Sequence, residues 1–305
     1  MQQNTTKIRK KRLARKRKKT TKKVLLFSLI LMCGICFIKV AAGDGLLDIG
    51  SLAWKEADVP AGYVEQADAS LVKPQKRTED EVKRTIKKLA KTEKAYKEIY
   101  QNYDAYPEEL LSALCNNPEM LSYVQGYPDA LPEASGGFTK EEKNDQLPLL
   151  IQWDKRWGYA PYGESSVALS GCAPTCLSMV VLALTENTKA TPDQIAAFAA
   201  GEGYYQKGTG TAWSLLTEGC EHFGIHGNEI SLDEGVIRSH LEKGEPIICS
   251  LGPGDFTCAG HFIVLSGETD GKIMVNDPNS RERSKVLWDY ETLKPQIKNL
   301  WAFSR

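Results

Sequence analysis

The stretch from Ser170 to Leu184 constrains the chain more than any other. Ser-Gly-Cys-Ala-Pro-Thr-Cys runs directly into Leu-Ser-Met-Val-Val-Leu-Ala-Leu. A helix that is apolar on nearly every side has to be covered on nearly every side. It therefore belongs inside a core with other layers around it. Gly171 and Pro174 mark a tight turn into that helix. Unpaired backbone N–H groups at a helix start favour negative charge and can form half of an oxyanion hole. A nucleophilic cysteine needs that position, and Cys172 occupies it. Cys176, one turn deeper, reads as a small core residue.

Three short apolar runs follow: Glu245–Leu251, Gly260–Gly267 and Lys272–Asn276. Each is bounded by Gly, Pro or Asn, so each reads as a strand. A helix followed by successive strands predicts an α+β domain. His261 opens the second strand straight after a glycine. A thiol nucleophile needs a base, and imidazole titrates near neutral pH. The third strand ends in Asn276-Asp277-Pro278. If strands two and three form a hairpin, either Asn276 or Asp277 can reach His261 and hold the ring in one tautomer. Cys on a helix start, with His and Asp on successive strands, is the layout of papain-like folds.

The region from Gln152 to Asp277 resembles the bacterial family 39-like cysteine peptidases, relatives of the double-glycine leader peptidases. The matching pieces are Gln152-Trp153-Asp154-Lys155-Arg156-Trp157-Gly158, Tyr162-Gly163, Ser170-Gly171-Cys172-Ala173-Pro174-Thr175, Gly260-His261-Phe262-Ile263-Val264 and Asn276-Asp277-Pro278. Thr191-Pro192 and Gly208-Thr209-Gly210-Thr211-Ala212-Trp213 look similar as well. The resemblance implies that Cys172 attacks a carbonyl carbon, that His261 takes its proton and returns it to the leaving amine, and that Asp277 rather than Asn276 orients His261. It implies that the Gln152 side chain donates to the oxyanion beside the backbone N–H of Cys172. Gln152 lies 20 residues before Cys172. That is farther than the papain-like pattern places this glutamine, so the loop holding Trp157, Tyr159 and Tyr162 has to fold away. No Walker-type phosphate loop accompanies the domain, so the transporter ATPase of the leader peptidases is not expected.

The formal net charge of zero hides a polar asymmetry. Residues 1–42 carry 13 of the 39 Lys and Arg and no acid, which leaves a net of −13 on the remainder. An acidic body excludes nucleic-acid binding as the leading function, since phosphate contacts need positive charge. The basic tail (1–23) precedes Val24–Ile38, fifteen uncharged residues, with Lys39 and Val40–Ala42 after them. Residues 24–42 suit a transmembrane helix or signal anchor with the tail in the cytoplasm and everything beyond it outside. A secretory signal peptide cleaved near Ala42 fits the same run. Either way the peptidase-like domain is expected outside the membrane.

Residues 43–76 read as a spacer and 77–145 as a helical segment. Val82, Ile86, Leu89, Tyr96, Tyr100 and Tyr103 recur at helical spacing, interrupted by Glu93, and predict one amphipathic helix. Pro107–Cys115 and Pro118–Val124 predict two shorter ones. The segment reads as a stalk or as a layer packed on the main domain, residues 146–305.

Among other chemistries, a zinc site from Cys172, Cys176, Cys258 and His261 has workable spacing, but it leaves the other motifs without a role. Cys220, Cys249 and Cys258 are the candidates for disulfide pairing, with free thiols the default. His222, His226 and His240 carry no pattern. The expectation is a peptidase with a peptide or protein as substrate, no cofactor, and the membrane as partner through its N-terminal helix. A binding module on the same fold, or acyl transfer on cell-wall peptides, is the alternative. The aromatic loop Trp157–Tyr162, Tyr204-Tyr205 and Gly252–Phe256 are the expected groove walls.

Overall fold

The computed structural model describes residues 62–66 and 69–305. The basic tail, the apolar run at 24–42 and most of the 43–76 segment lie outside the described residues. No described helix is long and apolar enough to cross a membrane.

After a two-residue strand, β1 (Val64–Glu65), the helical segment begins with α1 (Glu79–Leu89). Its start is a capping box: Thr78 accepts from the Glu81 N–H, and Glu81 reaches back to the Thr78 N–H. This satisfies two donors that a helix start leaves unpaired. The stripe predicted as one helix is broken after Leu89. The Thr92 hydroxyl and the Glu93 N–H both turn back onto the Leu89 carbonyl, at 3.2 and 3.0 Å. The chain then restarts as α2 (Lys94–Gln101). Folding back lets Val82 and Ile86 of α1 and Tyr96 and Ile99 of α2 share one core, which a single straight helix could not arrange.

Next come α3 (Glu108–Asn116), a 3₁₀ turn at Pro118–Met120, α4 (Leu121–Gly126) and α5 (Lys140–Asn144). Leu110, Leu114 and Tyr123 complete the helical core together with Ile151, Trp153 and Ala168 of the following domain. The segment is therefore a layer on that domain rather than a detached stalk.

The domain itself carries a hairpin of β2 (Pro161–Tyr162) and β3 (Ser165–Ser166), then α6 (Val167–Ser170), α7 (Cys172–Thr185) and α8 (Pro192–Gly201). A second hairpin joins β4 (Tyr205–Gln206) to β5 (Gly210–Thr211). The main sheet uses β6 (His226–Glu229), β7 (Ile247–Leu251), β8 (His261–Thr269), β9 (Lys272–Asn276), β10 (Val286–Trp288) and β11 (Ile297–Ser304), with α9 (Glu234–Glu242), α10 (Arg281–Ser284) and α11 (Tyr290–Leu293) between strands. Strand order is β1-β10-β9-β8-β7-β11-β6. All neighbours are antiparallel except β1 on β10. The end of the segment read as a spacer thus supplies an edge strand, too short to show a pattern in sequence.

Both faces of the sheet are covered, which is why β7 reads as continuously apolar. Ile248, Val264, Trp301 and Phe303 face the core of α7 and α8. Ile247, Cys249, Ile263, Leu265 and Val275 face a second core that includes Ile237 of α9 and Leu293 of α11. The hairpin of β8 and β9 turns at Asp270 and Gly271, both with positive φ, 51° and 77°. Those dihedrals match the twist of antiparallel strands. The register pairs Val264 with Asn276, which sets Asp277 beside the start of β8.

Candidate active site

Three elements converge on one end of the sheet. The first is the start of α7, where Cys172 is the first helical residue and Gly171 the cap, with no side chain to cover the first-turn N–H groups. The N–H groups of a helix's first turn have no partner within it. Pro174 lacks one, so those of Cys172 and Ala173 remain as donors at the thiol. Gly171 is dictated by packing: a Cβ there would lie 2.5 Å from the Val167 carbonyl and 2.8 Å from its Cγ1. Cys172 is partly exposed, whereas Cys176 is fully buried. Burial pushes the Cys176 thiol far above its usual range, and the nearby Cys172 adds to this. The six described cysteines from Cys115 to Cys258 are all free.

The second element is the start of β8. His261 is 7% exposed, and its Nε2 lies 2.7 Å from Asp277 Oδ1. Cys172, at the start of the neighbouring helix, lies near enough to the ring to raise its pKa. With Nε2 committed to the carboxylate, Nδ1 is left to face the thiol. Burial alone would push the imidazole down, but Asp277 and then Cys172 outweigh it and raise its pKa to about 9.

The third element is the turn after β9. Asp277 is completely buried. Burial disfavours its charge, yet the guanidinium of Arg283 and the ring of His261 hold it down, to about 2. Arg283 Nε donates to Asp277 Oδ2 at 2.5 Å, and the Asn279 N–H donates to Oδ1 at 2.8 Å. The Asp277 N–H donates to Ser284 Oγ at 2.9 Å. Asn276, the other sequence candidate, is engaged elsewhere: its Nδ2 donates to the Leu147 carbonyl at 3.0 Å.

Gln152 reaches this end of the molecule in spite of the 20 residues between it and Cys172. The β2–β3 hairpin and α6 take up the intervening chain. Its Nε2 donates to the Ala168 carbonyl at 2.7 Å, in the turn before Cys172, and the side chain is 4% exposed. One of the two amide hydrogens is thereby used. Its backbone N–H donates to the Pro278 carbonyl at 2.7 Å.

The expected groove walls need correction. Trp157 is fully buried against Phe138, and its indole N–H donates to the Ile151 carbonyl at 2.8 Å. Tyr159 stacks on Tyr123 of the helical layer at 4.3 Å. Phe256 is buried against Trp288 at 4.5 Å. These aromatics bind layers together because flat apolar faces fill space between elements efficiently. Tyr162 is also buried, but it neighbours Cys172 and its hydroxyl pairs with Thr211 Oγ1 at 2.7 Å.

Sequence reasoning missed Arg283, which is 3% exposed. No local pattern announces a buried arginine six residues after the aspartate; only the turn of α10 brings it back. Among the described residues no cluster of three or more His, Cys, Asp or Glu is placed to hold a metal ion.

A model of the Peptidase_C39 like family matches residues 145–304. No curated protein and no solved structure matches the chain.

Proposed function

The chain belongs to the Peptidase_C39 like family, and from that premise we propose that it is a cysteine peptidase of papain-like fold. Cys172 is the nucleophile, His261 the base and Asp277 the orienting carboxylate. The observation that carries the reading is the 2.7 Å contact from His261 Nε2 to Asp277 Oδ1, both buried, with Cys172 nearby at the start of α7.

The steps follow from those positions. His261 already holds the proton taken from the Cys172 thiol when Sγ bonds to the carbonyl carbon of a peptide. The negative oxygen that forms is met by the backbone N–H of Cys172 and the free amide hydrogen of Gln152. Collapse breaks the C–N bond, and His261 passes its proton to the leaving amine. Water, deprotonated by the same imidazole, then cleaves the thioester and restores the thiol. Asp277 keeps Nε2 protonated throughout and stabilises the imidazolium. The apolar run at 24–42, preceded by the basic tail, supports an extracytoplasmic site tethered to the membrane.

The test is twofold. Iodoacetamide should label Cys172 faster than Cys258, the other partly exposed thiol among the described residues, and His261→Ala should slow that labelling. Cys172→Ala should abolish cleavage of a mixed peptide library. Equal labelling of Cys172 and Cys258 would sink the proposal.

A further inference from the structure

The turn that carries Asp277 is held from outside the family-matched region. Glu119, in the 3₁₀ turn between α3 and α4, accepts from Ser280 Oγ through Oε1 and from the Arg281 N–H through Oε2, the latter at 2.9 Å. Asn117 is 4% exposed. Its Nδ2 donates to the Asn279 carbonyl, and its Oδ1 accepts from the Glu119 N–H at 3.1 Å. The indole N–H of Trp153 donates to the same Asn279 carbonyl at 2.9 Å. Arg281 lies over the Trp153 ring at 4.6 Å. The contacts of Asn117 and Glu119 with the turn span 161 or 162 residues of sequence and that of the Trp153 indole 126, yet all reach residues within four of Asp277.

We infer that Asn117 and Glu119 are positioning residues for the catalytic carboxylate, so that the helical layer is a working part of the active site. This rests on the triad reading above. The physical reason lies in the turn itself. Asp277 must present Oδ1 to His261 and Oδ2 to Arg283 at once, and Arg283 takes its place through its N–H bond to Ser280 Oγ at 3.1 Å. Ser280 Oγ therefore accepts from Arg283 while it donates to Glu119. Removing Glu119 frees the hydroxyl that sets the start of α10. Removing Asn117 leaves the carbonyl two residues after Asp277 held by the Trp153 indole alone. Neither residue touches His261, Cys172 or substrate, so each acts only through the turn.

The experiment uses the full chain and iodoacetamide as probe. Labelling of Cys172 is followed from pH 4 to 10 in the wild type and in Glu119→Ala, Asn117→Ala, Glu119→Gln, Asp277→Ala and His261→Ala, with thermal unfolding monitored for each. Glu119→Ala and Asn117→Ala should fold and displace the pH profile towards that of Asp277→Ala by about one unit, a tenfold change in the proton equilibrium. Glu119→Gln keeps the acceptor for Ser280 and should recover part of the shift. If Glu119→Ala does not fold, Asn117→Ala is read in its place. A wild-type profile in whichever of Glu119→Ala and Asn117→Ala folds, with the profile of His261→Ala altered, overturns the positioning role and leaves the triad standing. A wild-type profile in His261→Ala overturns the triad and the positioning role together.

Discussion

Arg283 donates from Nε to Asp277 Oδ2 at 2.5 Å, with both side chains withdrawn from water. This pairing explains how a wholly buried carboxylate stays ionised beside a histidine. An isolated buried charge would neutralise instead. Removing one partner of a buried pair leaves the other uncompensated and costs about 3–5 kcal/mol. Arg283→Ala should therefore lower the urea midpoint of unfolding substantially, whereas Lys285→Ala, at an exposed i,i+3 pair with Glu282, should change it little. Arg283→Lys should fall between them, because a lysine keeps the charge but not the planar donor.

The pH dependence of stability follows from the same pair. The folded pKa of His261 is raised to about 9, so its contribution is full below its unfolded value of about 6.5 and is lost as pH rises through about 9. That of Asp277 is lowered to about 2, so its contribution is present above about 4 and is lost as pH falls through about 2. Thermal melts of the full chain should show a plateau between about pH 4 and 6.5. The alkaline decline should flatten in His261→Ala.

Gln152 separates hydrolysis from thiol reactivity. Alkylation of a thiol forms no oxyanion, but peptide cleavage does. Gln152→Ala should reduce cleavage of a peptide library by about 10²-fold or more while leaving the iodoacetamide rate of Cys172 close to wild type. Equal loss in both assays would assign Gln152 to packing of the Ala168 turn alone.

Trp157 tests the corrected view of the aromatic loop. As a buried residue at the contact with Phe138, Trp157→Ala should cost about 3–5 kcal/mol in urea unfolding. A groove-wall residue would instead weaken substrate binding at nearly unchanged stability.

The legible part of this protein was local. Gly171-Cys172-Ala173-Pro174 followed by an apolar helix announces a thiol at a helix start. The alternation of apolar runs with turns announces the strands that begin at His261 and end before Asp277. The break between Leu89 and Lys94 was legible only as the interruption at Glu93, because helical spacing resumes at Tyr96 and only packing of α1 on α2 favours the fold-back. Trp157 and Phe256 were misread for a related reason: an aromatic in a loop has the same local sequence whether it lines a groove or fills a core.

By itself the sequence determined the element types, the candidate triad and the family, because periodicity, turn chemistry and short motifs act over a few residues. Tertiary structure decided which of the two turn residues, the carboxamide Asn276 or the carboxylate Asp277, meets His261. Asn276 is drawn to Leu147, while Asp277 is left for the ring. It also decided what supports that aspartate. Arg283 arrives through the turn of α10, and Asn117 and Glu119 arrive from a layer about 160 residues earlier. Contacts of that span cost loop-closure entropy and leave no period in the chain, so they exist only once the layers have packed.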